Sequence, residues 1–143
     1  MGVFLKCTIV NFKSKLPIQI RMTDLDPFGH VNNGVLFSYY DIGRFDYLSQ
    51  IKEDIRWEVL DKVIVRTECD FKEPILFEDD ISVETKVIEM GNRSVKMMQR
   101  IIDNQTGHIK STCIAILCGY DRLNNTSKEI SQDFKDRVLA FEE

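Results

Sequence analysis

At 143 residues the chain has the length of one domain rather than two. Hydrophobic residues make up 43% and aromatic residues 10%, which suits a packed globular core. The balance of 19 basic against 23 acidic residues gives a net charge of −4, which offers no electrostatic footprint for nucleic acid. No run is long and charge-free enough to insert into a membrane, and Lys6 interrupts an apolar start too short for a secretory signal. The expected location is cytoplasmic.

Residues 1–15 read as an N-terminal arm or an extra strand, and residues 16–143 as a single domain. Pro17 suits the first residue of a strand, with Ile18, Ile20 and Met22 on one face. Next comes a connector, Asp24-Leu25-Asp26-Pro27-Phe28-Gly29-His30-Val31-Asn32-Asn33-Gly34. It combines two carboxylates, a turn-forming Pro and Gly, a histidine, and two asparagines fit to cap a helix. From Val35 to Ile51 the apolar residues cover a wide face over about five helical turns, with no charge before Asp41. A helix so apolar is expected to be wrapped by other elements. The charged run at 52–58 reads as its end and a connection.

Four strand-like runs follow: those at 63–71, 81–90 and 94–103 alternate, and the one at 109–120 is nearly apolar after Lys110, which suits a central strand covered on both faces. Turn-forming residues lie in each of the three connections between them: Glu78-Asp79-Asp80, Gly91-Asn92 and Asn104-Gln105-Thr106-Gly107. Short connections between neighbouring strands predict an antiparallel meander. A terminal helix over 131–141 places Phe134, Val138 and Phe141 on one side. The four cysteines, Cys7, Cys69, Cys113 and Cys118, lack metal-ligand spacing and read as buried free thiols in a reducing compartment. Cys113 and Cys118 fall on opposite faces of their strand and are poorly placed to pair. The fold class is α+β, and the simplest packing curls the sheet around the long helix.

The pattern Arg21-x-x-Asp24-x-Asp26-Pro27-x-Gly29-His30-Val31-Asn32-Asn33, opening an aromatic-rich helix, resembles the hotdog-fold acyl-CoA thioesterases, and within them the 4-hydroxybenzoyl-CoA thioesterase-like group. The run Phe71-Lys72-Glu73-Pro74-Ile75 and the turn Gly91-Asn92-Arg93-Ser94 add to the likeness, which spans about residues 16–140. The resemblance implies a sheet of about five strands wrapped on one central helix. It also implies a homodimer with a continuous sheet, often doubled to a homotetramer, with sites at the subunit interface. The substrate would be an acyl-CoA or acyl-carrier-protein thioester. The family's catalytic carboxylate falls on Asp26, its carbonyl-polarising amide on Asn33, and its phosphate-holding turn on Arg93. The founding subgroup carries more positive charge at that turn and no histidine where this chain has His30.

The residues themselves support that chemistry. An ionised carboxylate can attack a thioester carbonyl or activate water, and the open amides of Asn33 and Gly34 can face the developing oxyanion. His30 either orients Asp26 or the substrate carbonyl, or holds the loop. Asp24 reads as a structural carboxylate for loop amides or Arg21. Arg93 and Lys72 are candidates for CoA phosphates. Tyr40, with its aromatic neighbours, is a candidate core residue or acyl-pocket wall. No metal or cofactor is expected, because a thiolate is already a good leaving group. Two rival functions fit the same fold: an enoyl or hydroxyacyl thioester hydratase-dehydratase, and a non-catalytic acyl-binding protein.

Overall fold

The computed structural model describes Val3–Phe4 through the backbone and residues 11–143 in full, so Cys7 lies outside the described residues. The elements in chain order are β1 (Val3–Phe4), β2 (Ser14–Ile18), α1 (Asn33–Gln50), β3 (Lys62–Phe71), β4 (Ile81–Met90), β5 (Ser94–Asp103), β6 (Ile109–Asp121), β7 (Thr126–Lys128) and α2 (Gln132–Glu142). The sheet runs β1–β4–β5–β6–β3, with β2 also paired to β4 and β7 to β6; every pairing is antiparallel. An antiparallel sheet packed on a long helix, with a short helix at the end, is as expected, but the four-strand meander is corrected: β4, β5 and β6 follow one another, whereas β3 crosses over to pair with β6 rather than with its chain neighbour β4.

The expected strand at 18–22 is corrected. β2 ends at Ile18, and Met22–Asp24 is a 3-10 turn with Met22 exposed. The Arg21 amide and guanidinium both donate to the Asp24 carboxylate, at 3.0 and 3.1 Å. Those bonds curl the chain and turn Met22 outward. Pro17 lies inside β2, opposite Ser82 of β4, on a strand that pairs with β4 alone. Its missing N–H is tolerated at such an edge.

The helix starts at Asn33 because the Asn32 side chain accepts from the Gly34 amide at 2.7 Å. Its sheet-facing side builds two apolar clusters. Leu36, Tyr39 and Tyr40 pack with Ile75, Ile81, Val83 and Ile101 toward the helix start, whereas Tyr47 and Leu48 pack with Val87, Met90, Met97, Phe134 and Val138 toward its end. Between them the helix nearly touches the sheet. A Cβ at Gly43 would sit 2.5 Å from the Val83 side chain, so only glycine permits this approach. The same level carries a buried polar bridge. Arg44 donates to Gln99 Oε1 at 2.7 Å and pairs with Asp41, while Gln99 Nε2 reaches the Tyr40 carbonyl at 2.9 Å and Thr85 Oγ1 at 3.0 Å.

The expected wrapping of α1 is one-sided in the single chain. Phe37, Ile42 and Phe45 remain exposed, as do Val63, Ile64 and Val65 of the outer strand β3.

Candidate active site

The connector between the 3-10 turn and α1 is a tight, heavily bonded loop. The Asp26 amide donates to the His30 carbonyl at 2.7 Å, and the Gly29 amide to the Asp26 carbonyl at 3.0 Å. Gly29 holds φ at +80°, a left-handed conformation that glycine adopts without a steric penalty. One Asp26 carboxylate oxygen, Oδ1, accepts from the Phe28 amide at 2.9 Å and the His30 amide at 3.1 Å. The other, Oδ2, carries no hydrogen bond among the described residues. The loop thus aims the carboxylate and leaves half of it unspent.

Three further bonds lock the loop onto the fold. The Val31 amide donates to the Ile75 carbonyl at 2.8 Å, and the Asn32 amide to the Asp24 carbonyl at 2.9 Å. The Tyr39 hydroxyl donates to Asp24 Oδ2 at 2.6 Å. Asp24 is 2% exposed. Burial works to raise its carboxyl, but the Tyr39 hydroxyl, the Arg21 amide and the Arg21 guanidinium outweigh burial and hold it below the usual carboxylate range. Burial first, then Asp24, pushes the Tyr39 hydroxyl up, so it stays a neutral donor.

Beside this loop lies a cleft of about 390 Å³. One side is the loop and the helix start, with Asp26, His30, Val31, Asn32, Asn33 and Leu36. The other is Phe71-Lys72-Glu73-Pro74-Ile75, which leaves the end of β3. The Lys72 amide on the Lys110 carbonyl at 2.9 Å, and Lys110 Nζ on the Pro74 carbonyl at 3.2 Å, hold this wall to β6.

Asp26, His30, Asn33 and Lys72 therefore share one cleft, and three other expected residues stand differently. The Gly34 amide is not open, because the Asn32 cap takes it. The Asn33 amide keeps no partner among the described residues. Tyr40 is fully buried and does not line the cleft; its hydroxyl donates to Ser111 Oγ at 2.7 Å, since a buried phenol needs an acceptor. Arg93 sits at the far end of its own chain's sheet, with Nη1 on Ser127 Oγ at 3.0 Å. The length of β4, about 30 Å, separates it from the cleft. Sequence reasoning undervalued Tyr39. The available signal was its place two turns after the cap, which turns it back toward the loop.

The family described as the Thioesterase-like superfamily matches residues 20–138. Among solved structures, a Thermus thermophilus thioesterase complexed with coenzyme A and zinc is 28% identical, with a TM-score of 0.83 over 92% of this chain and 95% of that one. A DHNA-CoA thioesterase from Staphylococcus aureus is 18% identical, with a TM-score of 0.78 over 90% and 87%. A 1,4-dihydroxy-2-naphthoyl-CoA thioesterase from Synechocystis is 13% identical, with a TM-score of 0.80 over 87% and 94%. The last two likenesses speak to the fold alone. No curated protein matches the sequence. The fold is that of a hotdog thioesterase. The chain belongs to the thioesterase-like superfamily and is a thioester hydrolase. No helix among the described residues is long and apolar enough to cross a membrane.

Proposed function

We propose that the chain hydrolyses acyl-CoA thioesters, adding water across the C–S bond to release a carboxylic acid and free CoA. The observation that carries this reading is the convergence on one cleft of the unspent Asp26 oxygen and the unpartnered Asn33 amide. Asp26 Oδ2 attacks the carbonyl carbon or takes a proton from the attacking water. The Asn33 amide, at the positive end of α1, receives the charge that builds on the carbonyl oxygen. His30 stands in the same cleft to orient the substrate carbonyl or the water. Lys72 lies on the opposite wall, placed for a phosphate. The relative solved with coenzyme A supports a CoA thioester over one on a carrier protein.

The site works in a homodimer on this reading. β3 is an outer strand paired only with β6 among the described residues, its Val63, Ile64 and Val65 are exposed, and Ile64 shares a surface cleft with the exposed Phe45 of α1. Exposed apolar edges of this kind ask for a partner. Antiparallel pairing of two β3 strands about a two-fold axis sets Lys62 of one copy near Phe71 of the other. Arg93 lies at the Lys62 end, because Gly119 pairs with Lys62 and donates to the Arg93 carbonyl at 3.0 Å. Three strand spacings, about 15 Å, then separate Arg93 from the other copy's cleft wall, within reach of an extended nucleotide. Arg93 thus serves the neighbouring cleft rather than its own. Free thiols fit a cytoplasmic place of action.

The test is thiol release, read with a thiol reagent, from short, long and aromatic acyl-CoAs and from one acyl-carrier-protein thioester. Turnover of a CoA thioester that disappears in Asp26→Asn is the expected result. Absence of thiol release across the panel overturns the reading.

A further inference from the structure

Two cysteines that take no part in thioester hydrolysis face each other across the sheet. Cys69 of β3 and Cys113 of β6 are register partners, with Sγ atoms 3.0 Å apart. Opposed residues of antiparallel strands have Cα atoms about 4.5–5.5 Å apart, inside the range of about 4.4–6.8 Å that a disulfide spans. Closing the sulfurs to bonding distance, about 2.05 Å, therefore asks for side-chain rotation and no change of strand pairing. The two thiols are unequal. Cys113 is 1% exposed, and burial, then the neighbouring Cys69, pushes its thiol up. Cys69 is half-buried on the outer strand, and Phe71, next along the same face, lines the cleft. A small oxidant entering from the cleft side meets Cys69 first. Cys118 points to the opposite face of β6 and cannot compete for Cys113.

We propose that Cys69 and Cys113 form an oxidation site, at which a hydroperoxide converts the dithiol into a cross-strand disulfide that ties β3 to β6 beside the cleft. The Cys69 thiol gives up its proton and the thiolate attacks a peroxide oxygen; an S–O bond forms, the O–O bond breaks, and with hydrogen peroxide as the oxidant the departing hydroxide takes up that proton and leaves as water. Cys113 then gives up its proton and attacks the Cys69 sulfur; the S–S bond forms, the S–O bond breaks, and a second water leaves. Each sulfur gives up one electron, and the peroxide takes both. A thiol reductant restores the pair.

The experiment treats the reduced full chain with hydrogen peroxide, alkylates the remaining thiols, and maps disulfide-linked peptides by mass. Wild type and Cys118→Ser are expected to give a peptide joining residues 69 and 113, with the thermal midpoint raised by about 5 °C or more and returned by dithiothreitol. Cys69→Ser, at a half-buried site that accepts the change, is expected to lose both the linked peptide and the shift. It decides the matter even if Cys113→Ser fails to fold. The proposal is overturned if Cys118 oxidises while no 69–113 peptide forms, if the linkage joins two copies, or if Cys69→Ser keeps the shift. None of these readouts depends on thioesterase activity.

Discussion

The two ends of α1 use the same device for opposite purposes. At its start Tyr39 donates to buried Asp24 at 2.6 Å; two turns later Tyr47 donates to buried Glu142 at 3.0 Å. In both cases burial and then the carboxylate push the phenol up, so each tyrosine stays a neutral donor. The Tyr47 end is closed. Glu142 also takes the Val87 amide at 3.1 Å and pairs with Lys86 at 3.3 Å, with side chains 1% and 6% exposed, and so pins α2 onto the sheet. The Tyr39 end is open. Asp24 braces a loop whose next carboxylate, Asp26, keeps an oxygen free on a cleft. A tyrosine–carboxylate bond can thus seal a core or prepare a site, depending on whether the neighbouring groups are all consumed.

The sharpest way to break this comparison is to remove the reactive group and the sealing group separately. Asp26→Asn keeps both loop hydrogen bonds at Oδ1 but removes the proposed base or nucleophile. We expect kcat to fall by about 10²–10⁴-fold with the thermal midpoint unchanged within about 2 °C. Glu142→Ala does the reverse. It strands Lys86 and the Val87 amide, and breaking a buried pair from one side costs about 3–5 kcal/mol. Urea unfolding is expected to report that loss, while kcat of the remaining folded protein is retained. Equal damage to activity from both variants would refute the division of labour.

A finer cut compares Tyr39→Phe with Tyr47→Phe. Each deletes one buried hydroxyl and costs about 1–2 kcal/mol. Only Tyr39→Phe is expected to lower kcat, because only Asp24 braces the loop that carries the proposed base, Asp26. The acid side gives the same contrast. The lowered Asp24 carboxyl contributes stability that is complete above the ordinary carboxylate value, near pH 4, and is lost as pH falls through the lower folded value. Asp24→Asn removes that component, so its unfolding free energy is expected to change less with pH below about 4 than that of wild type.

Much of this was legible in the sequence because it is local. Alternation placed β3, β4 and β5 to within a residue, and an apolar run placed β6 equally well, since both patterns are written in neighbouring residues. The cap residues Asn32 and Asn33 marked the helix start for the same reason. Contacts set by register or distant segments were not legible. Cys69 and Cys113 lie 44 positions apart, and only the β3–β6 register makes them neighbours. Glu142 reaches Val87 and Lys86 across 55 and 56 positions, and no periodicity announces that a terminal carboxylate turns inward. At the site the sequence showed which groups were present but not which were already spent. Tyr40 looked free to touch substrate until Ser111 claimed its hydroxyl, and the Gly34 amide looked open until Asn32 took it.

That last competition yields the smallest predicted effect and the most informative one. Asn32→Ala removes the side chain that holds the Gly34 amide at 2.7 Å and costs about 1 kcal/mol in lost capping. It also releases a second amide next to Asn33 at the mouth of the cleft. If the cap's role is only to start the helix, the freed amide can join Asn33 in holding the oxyanion, and kcat is retained or rises despite the lost stability. If the cap also sets the angle at which the Asn33 amide enters the cleft, kcat falls together with stability. The fixed bonds on either side of Asn32, from its own amide to the Asp24 carbonyl and from Val31 to Ile75, hold that angle without the side chain. We therefore expect retained kcat with a midpoint lowered by about 2–8 °C, measured side by side on the purified variant.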